Sequence, residues 1–156
     1  MQTFTYSFTV DAPKRIVRQF HHDPSVLKRL TPPPLFIQLR YFEPLGEGSK
    51  AEFTIWMGPF PARWQVVHSE VSDDGFTDAM ISGPLKSWKH QHRFVAIESD
   101  KTEVRESIEY EYKDGLRGII NRLMYSKLSL SFLFTARKLI TRRQVSRTLS
   151  SQEGQI

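Results

Sequence analysis

The sequence predicts an α+β fold: a curved seven-stranded antiparallel sheet around one long C-terminal helix, with two short helices after the first strand. Three observations predict it. Seven short runs have strand character. Six of these follow one another through brief Gly, Pro and Asp turns, as a meander does and crossover units do not. From about Leu116 the apolar spacing changes from strand-like to helical.

The first run, "TFTYSFTV", sets Phe4, Tyr6, Phe8 and Val10 against Thr3, Thr5, Ser7 and Thr9, the alternation of a half-buried strand. "DAPKRIVRQFHHD" reads as a helix, with Asp11 as N-cap, Pro13 in the first turn and Ile16, Val17 and Phe20 on one face. Asp23 is placed to cap a second short helix, which Pro32, Pro33 and Pro34 end. Strands follow at 35–42, 51–57, 62–71, 76–82, 87–97 and 102–112. Winding 116–146 as one helix gives an inward stripe of Leu116, Ile119, Ile120, Leu123, Leu130 and Phe134. Met124, Leu128, Phe132 and Leu139 form a lateral stripe.

At 156 residues the chain suits a single domain, expected over 1–145, with 146–156 as a flexible tail of no period. Three Trp, five Tyr and eleven Phe indicate a packed core. The absence of cysteine excludes disulfides, a thiol nucleophile and thiolate metal ligation. Neither a signal-peptide layout at the N-terminus nor an apolar run near the ~20 residues of a membrane span is present, so a cytoplasmic protein is expected. The net charge of +5 gathers in the C-terminal helix. There it reads as a solvated helix end or, with the lateral Met124, Leu128, Phe132 and Leu139 stripe, as a peripheral contact for anionic membrane or a protein partner. No interleaved aromatic and basic platform for nucleic acid, phosphate-cradling Gly loop or activated serine emerges, and no cofactor is called for.

Strand parity carries the chemistry. Phe53 and Ile55 share a face on 51–57; Trp64, Val66 and His68 share one on 62–71. Trp88, His90, His92 and Phe94 share one on 87–97; Val104, Glu106, Ile108 and Tyr110 share one on 102–112. For 76–82 either Phe76, Asp78 and Met80 or Thr77, Ala79 and Ile81 face inward. His68, His90, His92 and Glu106 thus interrupt apolar rows, where an unpartnered polar group costs on the order of 1–3 kcal/mol. Three arrangements satisfy them: mutual hydrogen bonds in a dry core, polar contacts in an apolar ligand pocket, or metal ligation by His90, His92 and Glu106. Arg137 lies on the helical stripe beside Phe134 and Leu130. It either snorkels to water or points inward toward Glu106 or an acidic ligand group.

The layout over residues 1 to about 145 resembles the SRPBCC superfamily of START lipid-binding domains, polyketide cyclases and pathogenesis-related proteins. The resemblance rests on "DAPKRIVRQFHHDPSVLKRLTPPP", "RWQVVHS", "GFTD", "GPLKSWKHQHRF" and "IEYEYKDG". The last four are similar to one cyclase/dehydrase-like, ligand-binding subfamily, which tends to carry Asp where this chain has Glu106. The resemblance implies a helix-grip fold with a hydrophobic cavity between sheet and long helix.

The expected function is non-catalytic binding of a small, largely apolar ligand of lipid, isoprenoid or aromatic polyketide type. Phe53, Ile55, Trp64, Trp88, Phe94 and Tyr110 would supply apolar wall, and His68, His90, His92, Glu106 and Arg137 would orient polar groups. The alternative is a cyclase or dehydratase in which a His–carboxylate pair moves protons.

Overall fold

A computed structural model describes residues 1–23 and 25–153. The strands are β1 (Gln2–Val10), β2 (Leu35–Phe42), β3 (Lys50–Met57), β4 (Phe60–Ser72), β5 (Gly75–Ser82), β6 (Ser87–Glu98) and β7 (Lys101–Glu111). The helices are α1 (Lys14–His22), α2 (Val26–Arg29), α3 (Gly115–Met124) and α4 (Lys127–Glu153). All seven strands join one antiparallel sheet in the order β1-β7-β6-β5-β4-β3-β2, the helix-grip α+β arrangement expected from the sequence. The first strand closes against the last because their registers match, Phe4 opposite Ile108 and Phe8 opposite Val104.

Helix α4 lies along β1, burying Leu130, Phe134, Thr141 and Val145. The seam is tied at Thr9, whose carbonyl accepts from Arg142 Nε at 2.7 Å. Tyr6 Oη meets Thr135 Oγ1 at 3.2 Å. The core divides in two. One cluster joins Phe8, Val10, Ile16, Val17, Phe94, Val104 and Val145 at the α1 end. The other joins Phe4, Trp64, Val66, Leu85, Ile108, Tyr110, Leu130 and Phe134 toward the opposite end.

Three sequence expectations need correction. The single helix over 116–146 is two, interrupted at Tyr125 and Ser126, where Ser126 Oγ accepts the Ser129 N–H at 3.2 Å and caps α4. Its supposed inward stripe also fails before the break. Leu116, Ile119, Ile120 and Leu123 all face solvent, while Gly118 and Asn121 turn inward. Asn121 Nδ2 donates to the Pro84 carbonyl at 2.7 Å, and a Cβ at Gly118 would sit 1.9 Å from the Lys113 carbonyl oxygen. Helix α3 is thus held by a polar contact and a close backbone approach, not by its apolar residues. Of the tail expected at 146–156, residues 146–153 continue α4 and Leu149 packs on the first core cluster; 154–156 lie outside the described residues.

At α1 the capping expectation also shifts. The helix starts after Pro13, with no side-chain cap from Asp11. Asp23 does not cap α2 either: its Oδ1 accepts the Ser25 N–H at 2.8 Å, and Ser25 itself stands at the N-cap with no side-chain cap. No described helix is long and apolar enough to cross a membrane.

Candidate functional site

Between the two core clusters the sheet and α4 do not meet, leaving a cavity of about 780 Å³. Its wall is apolar: Leu39, Phe53, Ile55, Met57, Trp64 and Val66 come from β2, β3 and β4, and Leu133 and Phe134 from α4. Exposed Leu123, Leu128 and Phe132 border it where α3 meets α4, which marks that side as its mouth. Polar groups enter the wall at few points, among them His68, Asp78, His90 and Arg137.

Seven of the eleven residues expected at the site line this space: Phe53, Ile55, Trp64, His68, Trp88, His90 and Arg137. His92, Phe94, Glu106 and Tyr110 sit behind the wall, each buried. Phe94 belongs to the α1-side core and Tyr110 packs against Trp88 at 5.9 Å. Neither is lining. Asp78 is the polar residue that sequence reading left undecided. The β4–β5 register sets His68 opposite Asp78, and β5–β6 sets Asp78 opposite His90, so Asp78 shares their face.

These groups form a chain of alternating imidazole and carboxylate across β4, β5, β6 and β7. His68 Nδ1 lies 3.0 Å from the Ser49 carbonyl, and its Nε2 lies 3.3 Å from Asp78 Oδ1. Asp78 Oδ2 accepts from His92 Nε2 at 3.2 Å. His92 Nδ1 lies 2.8 Å from Glu106 Oε2, close enough to pair electrostatically but out of line for a hydrogen bond. Glu106 Oε2 also accepts from His90 Nε2 at 2.9 Å. Phe76 stacks on the His92 ring at 4.3 Å and shields it.

The two adjacent imidazoles are pushed opposite ways. Burial alone would lower His92, but Glu106 and Asp78 outweigh it and lift it to about 9. His90 is lowered by burial and then by the charge on His92, so it stays neutral at pH 7. Burial would raise Glu106 and Asp78; protonated His92 overrides it and holds both low, Glu106 well below the ordinary carboxylate range. Because neutral His90 gives its one N–H to Glu106, its Nδ1 keeps a free lone pair, on a residue that lines the cavity.

Trp64 Nε1, His22 Nε2 and Arg137 Nε are wall nitrogens buried without a well-aligned hydrogen-bond partner among the described residues, the Tyr125 hydroxyl lying beside the Trp64 N–H. Arg137 stacks over Phe134 at 5.1 Å and reaches no carboxylate within ion-pair distance. Burial lowers its affinity for the proton, with Glu106 and Asp78 opposing from farther away.

Asp78, His90 and His92 also present ligand atoms within 4.8 Å of one another, spacing that suits a divalent ion. The trio differs from the His90, His92 and Glu106 set anticipated from sequence. At neutral pH an ion would have to displace the proton that the two carboxylates hold on His92.

No family model and no curated protein matches the sequence. Solved structures do match the fold. The aromatase/cyclase Zhui from Streptomyces sp. R1128 superposes with a TM-score of 0.76 at 12% identity, covering 95% of each chain. A START superfamily protein from Mycobacterium smegmatis gives 0.70 at 10% identity, covering 94% of this chain and 98% of its own. This chain has the SRPBCC-type fold. Norcoclaurine synthase from Thalictrum flavum, in complex with dopamine and hydroxybenzaldehyde, gives 0.63 at 19% identity over 89% of this chain and 86% of that one. At such identities the SRPBCC fold is what is shared.

Proposed function

We propose that this protein binds a small, largely apolar molecule of lipid, isoprenoid or aromatic polyketide type in the cavity between sheet and α4. The observation that carries the reading is the pairing of a ~780 Å³ apolar space with buried donors in its wall, Arg137 Nε without an acceptor and Trp64 Nε1 with only the misaligned Tyr125 hydroxyl nearby. A buried donor left unpaired costs about 1–3 kcal/mol, which an oxygen on a guest would recover. The polar end of the guest therefore seats against Arg137, Trp64 and His90, and its apolar body lies along Phe53, Ile55, Met57 and Trp88. The similar norcoclaurine synthase holds two aromatic compounds, a guest class that fits these walls.

Native mass spectrometry of protein purified from its own cells tests this. An adduct released by organic solvent and identified as an apolar molecule with at least one oxygen is the expected outcome. Unliganded protein whose Trp emission no apolar probe alters would overturn it.

A proton-transferring cyclase or dehydratase is the second reading, favoured by one observation. His90 lines the cavity, its N–H is committed to Glu106, and burial beside protonated His92 keeps it neutral, the arrangement of an oriented general base. Turnover of the bound molecule that His90→Gln abolishes while affinity survives would select this reading over simple binding.

A further inference from the structure

Helix α3 turns its apolar side outward. Leu116, Ile119, Ile120 and Leu123 recur at the spacing of one helical face and are 59–82% exposed, while the opposite face holds Gly118 and Asn121 against the protein. Leu128 and Phe132 of α4, both exposed, extend the patch around the cavity mouth. Six large apolar residues held together in water need a partner.

Charge says which. From Gly115 to Ser151 the sequence has eight Lys and Arg and neither Asp nor Glu. Exposed Arg122 and Lys127 flank the patch directly. An apolar helical face beside a run of cations, with Asp114 at the α3 N-cap the one acid near it in sequence, matches an anionic bilayer surface, which takes the side chains into its acyl boundary and the cations at its headgroups. An acidic protein groove would match the cations too. It would not explain why the patch borders the opening of an apolar cavity.

We infer that α3 and the first turns of α4 dock on an anionic membrane surface and bring the cavity mouth to the lipid. The sequence points to the lateral Met124, Leu128, Phe132 and Leu139 stripe and the basic end of the C-terminal helix for such a contact. The exposed face of α3 adds Leu116, Ile119, Ile120 and Leu123 to Leu128 and Phe132 of that stripe. The inference rests on the ligand reading only in supposing that the guest passes between bilayer and cavity; the docking itself does not need a guest.

The test uses vesicles alone. Because the chain has no cysteine, Leu116→Cys carries an environment-sensitive dye at one defined place, with Ser72→Cys at the end of β4 as reference. With phosphatidylcholine vesicles containing phosphatidylglycerol, the Leu116 label should shift to the blue and the Ser72 label should not. Sedimentation with those vesicles should weaken as salt rises. Ile119→Ser/Ile120→Ser should lower it about tenfold or more, with an unchanged melting temperature, since both residues are exposed. That double variant does not touch the cavity wall, so its binding of an apolar probe without vesicles should match the parent. Absence of both blue shift and sedimentation overturns the inference and leaves the cavity reading standing. So does a dimer in solution that the double variant returns to monomer, which would assign the patch to a second copy.

Discussion

His90 and Glu106 are bonded on a diagonal. In the register of β6 and β7, His92 stands opposite Glu106 and His90 opposite Ile108, yet Glu106 Oε2 reaches both imidazoles, at 2.9 Å and 2.8 Å. One carboxylate therefore serves two histidines of opposite protonation, one giving it a neutral N–H and the other a positive charge.

Removing that carboxylate should release the His92 proton. In Glu106→Gln, burial is opposed by Asp78 alone, so the His92 titration followed by NMR should move down from about 9 toward its ordinary 6.5 or below. An unmoved titration would show that Asp78 alone holds the charge.

Stability should peak close to pH 6.5. His92 binds its proton more tightly in the folded chain, so its contribution is whole below 6.5 and drains away as pH climbs through about 9. Glu106 and Asp78, held low, contribute above their ordinary 4.5 and 3.8 and lose that contribution as pH falls. His21, lowered to about 4 by burial, favours the unfolded chain as pH drops from 6.5 toward 4. Melting temperature measured across this range should fall on both sides, and Glu106→Gln should flatten the alkaline limb. A steady rise from pH 6.5 to 9 contradicts the assignment.

Arg137→Met should stabilise the empty protein and weaken its grip on a polar-headed guest. An unpaired cation in an apolar wall is a net cost, so an apolar isostere should add about 1 kcal/mol in thermal or denaturant unfolding. Affinity for a long-chain acid should drop at least about tenfold, while affinity for its methyl ester should change less. Equal losses for acid and ester would remove Arg137 from any role in anchoring charge.

Fluorescence should report occupancy. Of the three tryptophans, Trp64 and Trp88 line the cavity and meet edge to face at 5.5 Å, whereas Trp56 donates to Gln38 on the other face of the sheet. An apolar probe should quench the first two, and Trp64→Phe/Trp88→Phe should erase the response. Quenching that persists in this variant would place the probe elsewhere.

How much of this was legible in the sequence follows from how strictly each element obeys its period. The β6–β7 pairing runs without a register shift from Ser87 to Ala96, and β3–β4 without one from Lys50 to Met57, so parity puts His68, His90, His92 and Glu106 on one side of the sheet and locates the polar row. Parity does not say how deep a side chain sits along its strand. Hence Phe94 and Tyr110, expected as wall, sit in the core. Asp78 stayed ambiguous because an Asp beside Phe76 and Met80 is chemically unwelcome until the histidines opposite it are known. Helical winding fared worst. It assumes that apolar residues face inward, and in α3 the inward side is Gly118 and Asn121.

The division of the core has a further consequence. Apart from Leu30 and Phe76, the cluster built on Phe8, Val10, Ile16, Val17, Phe94, Val104 and Val145 lends nothing to the wall of the hollow. The second cluster carries both duties, since Trp64, Val66, Leu130 and Phe134 are core and wall at once and Phe53, Ile55 and Met57 pack on them. A substitution at Leu39, which belongs to neither cluster, alters what is accepted with the least loss of packing. A descendant with a different guest would leave the α1-side packing as it is.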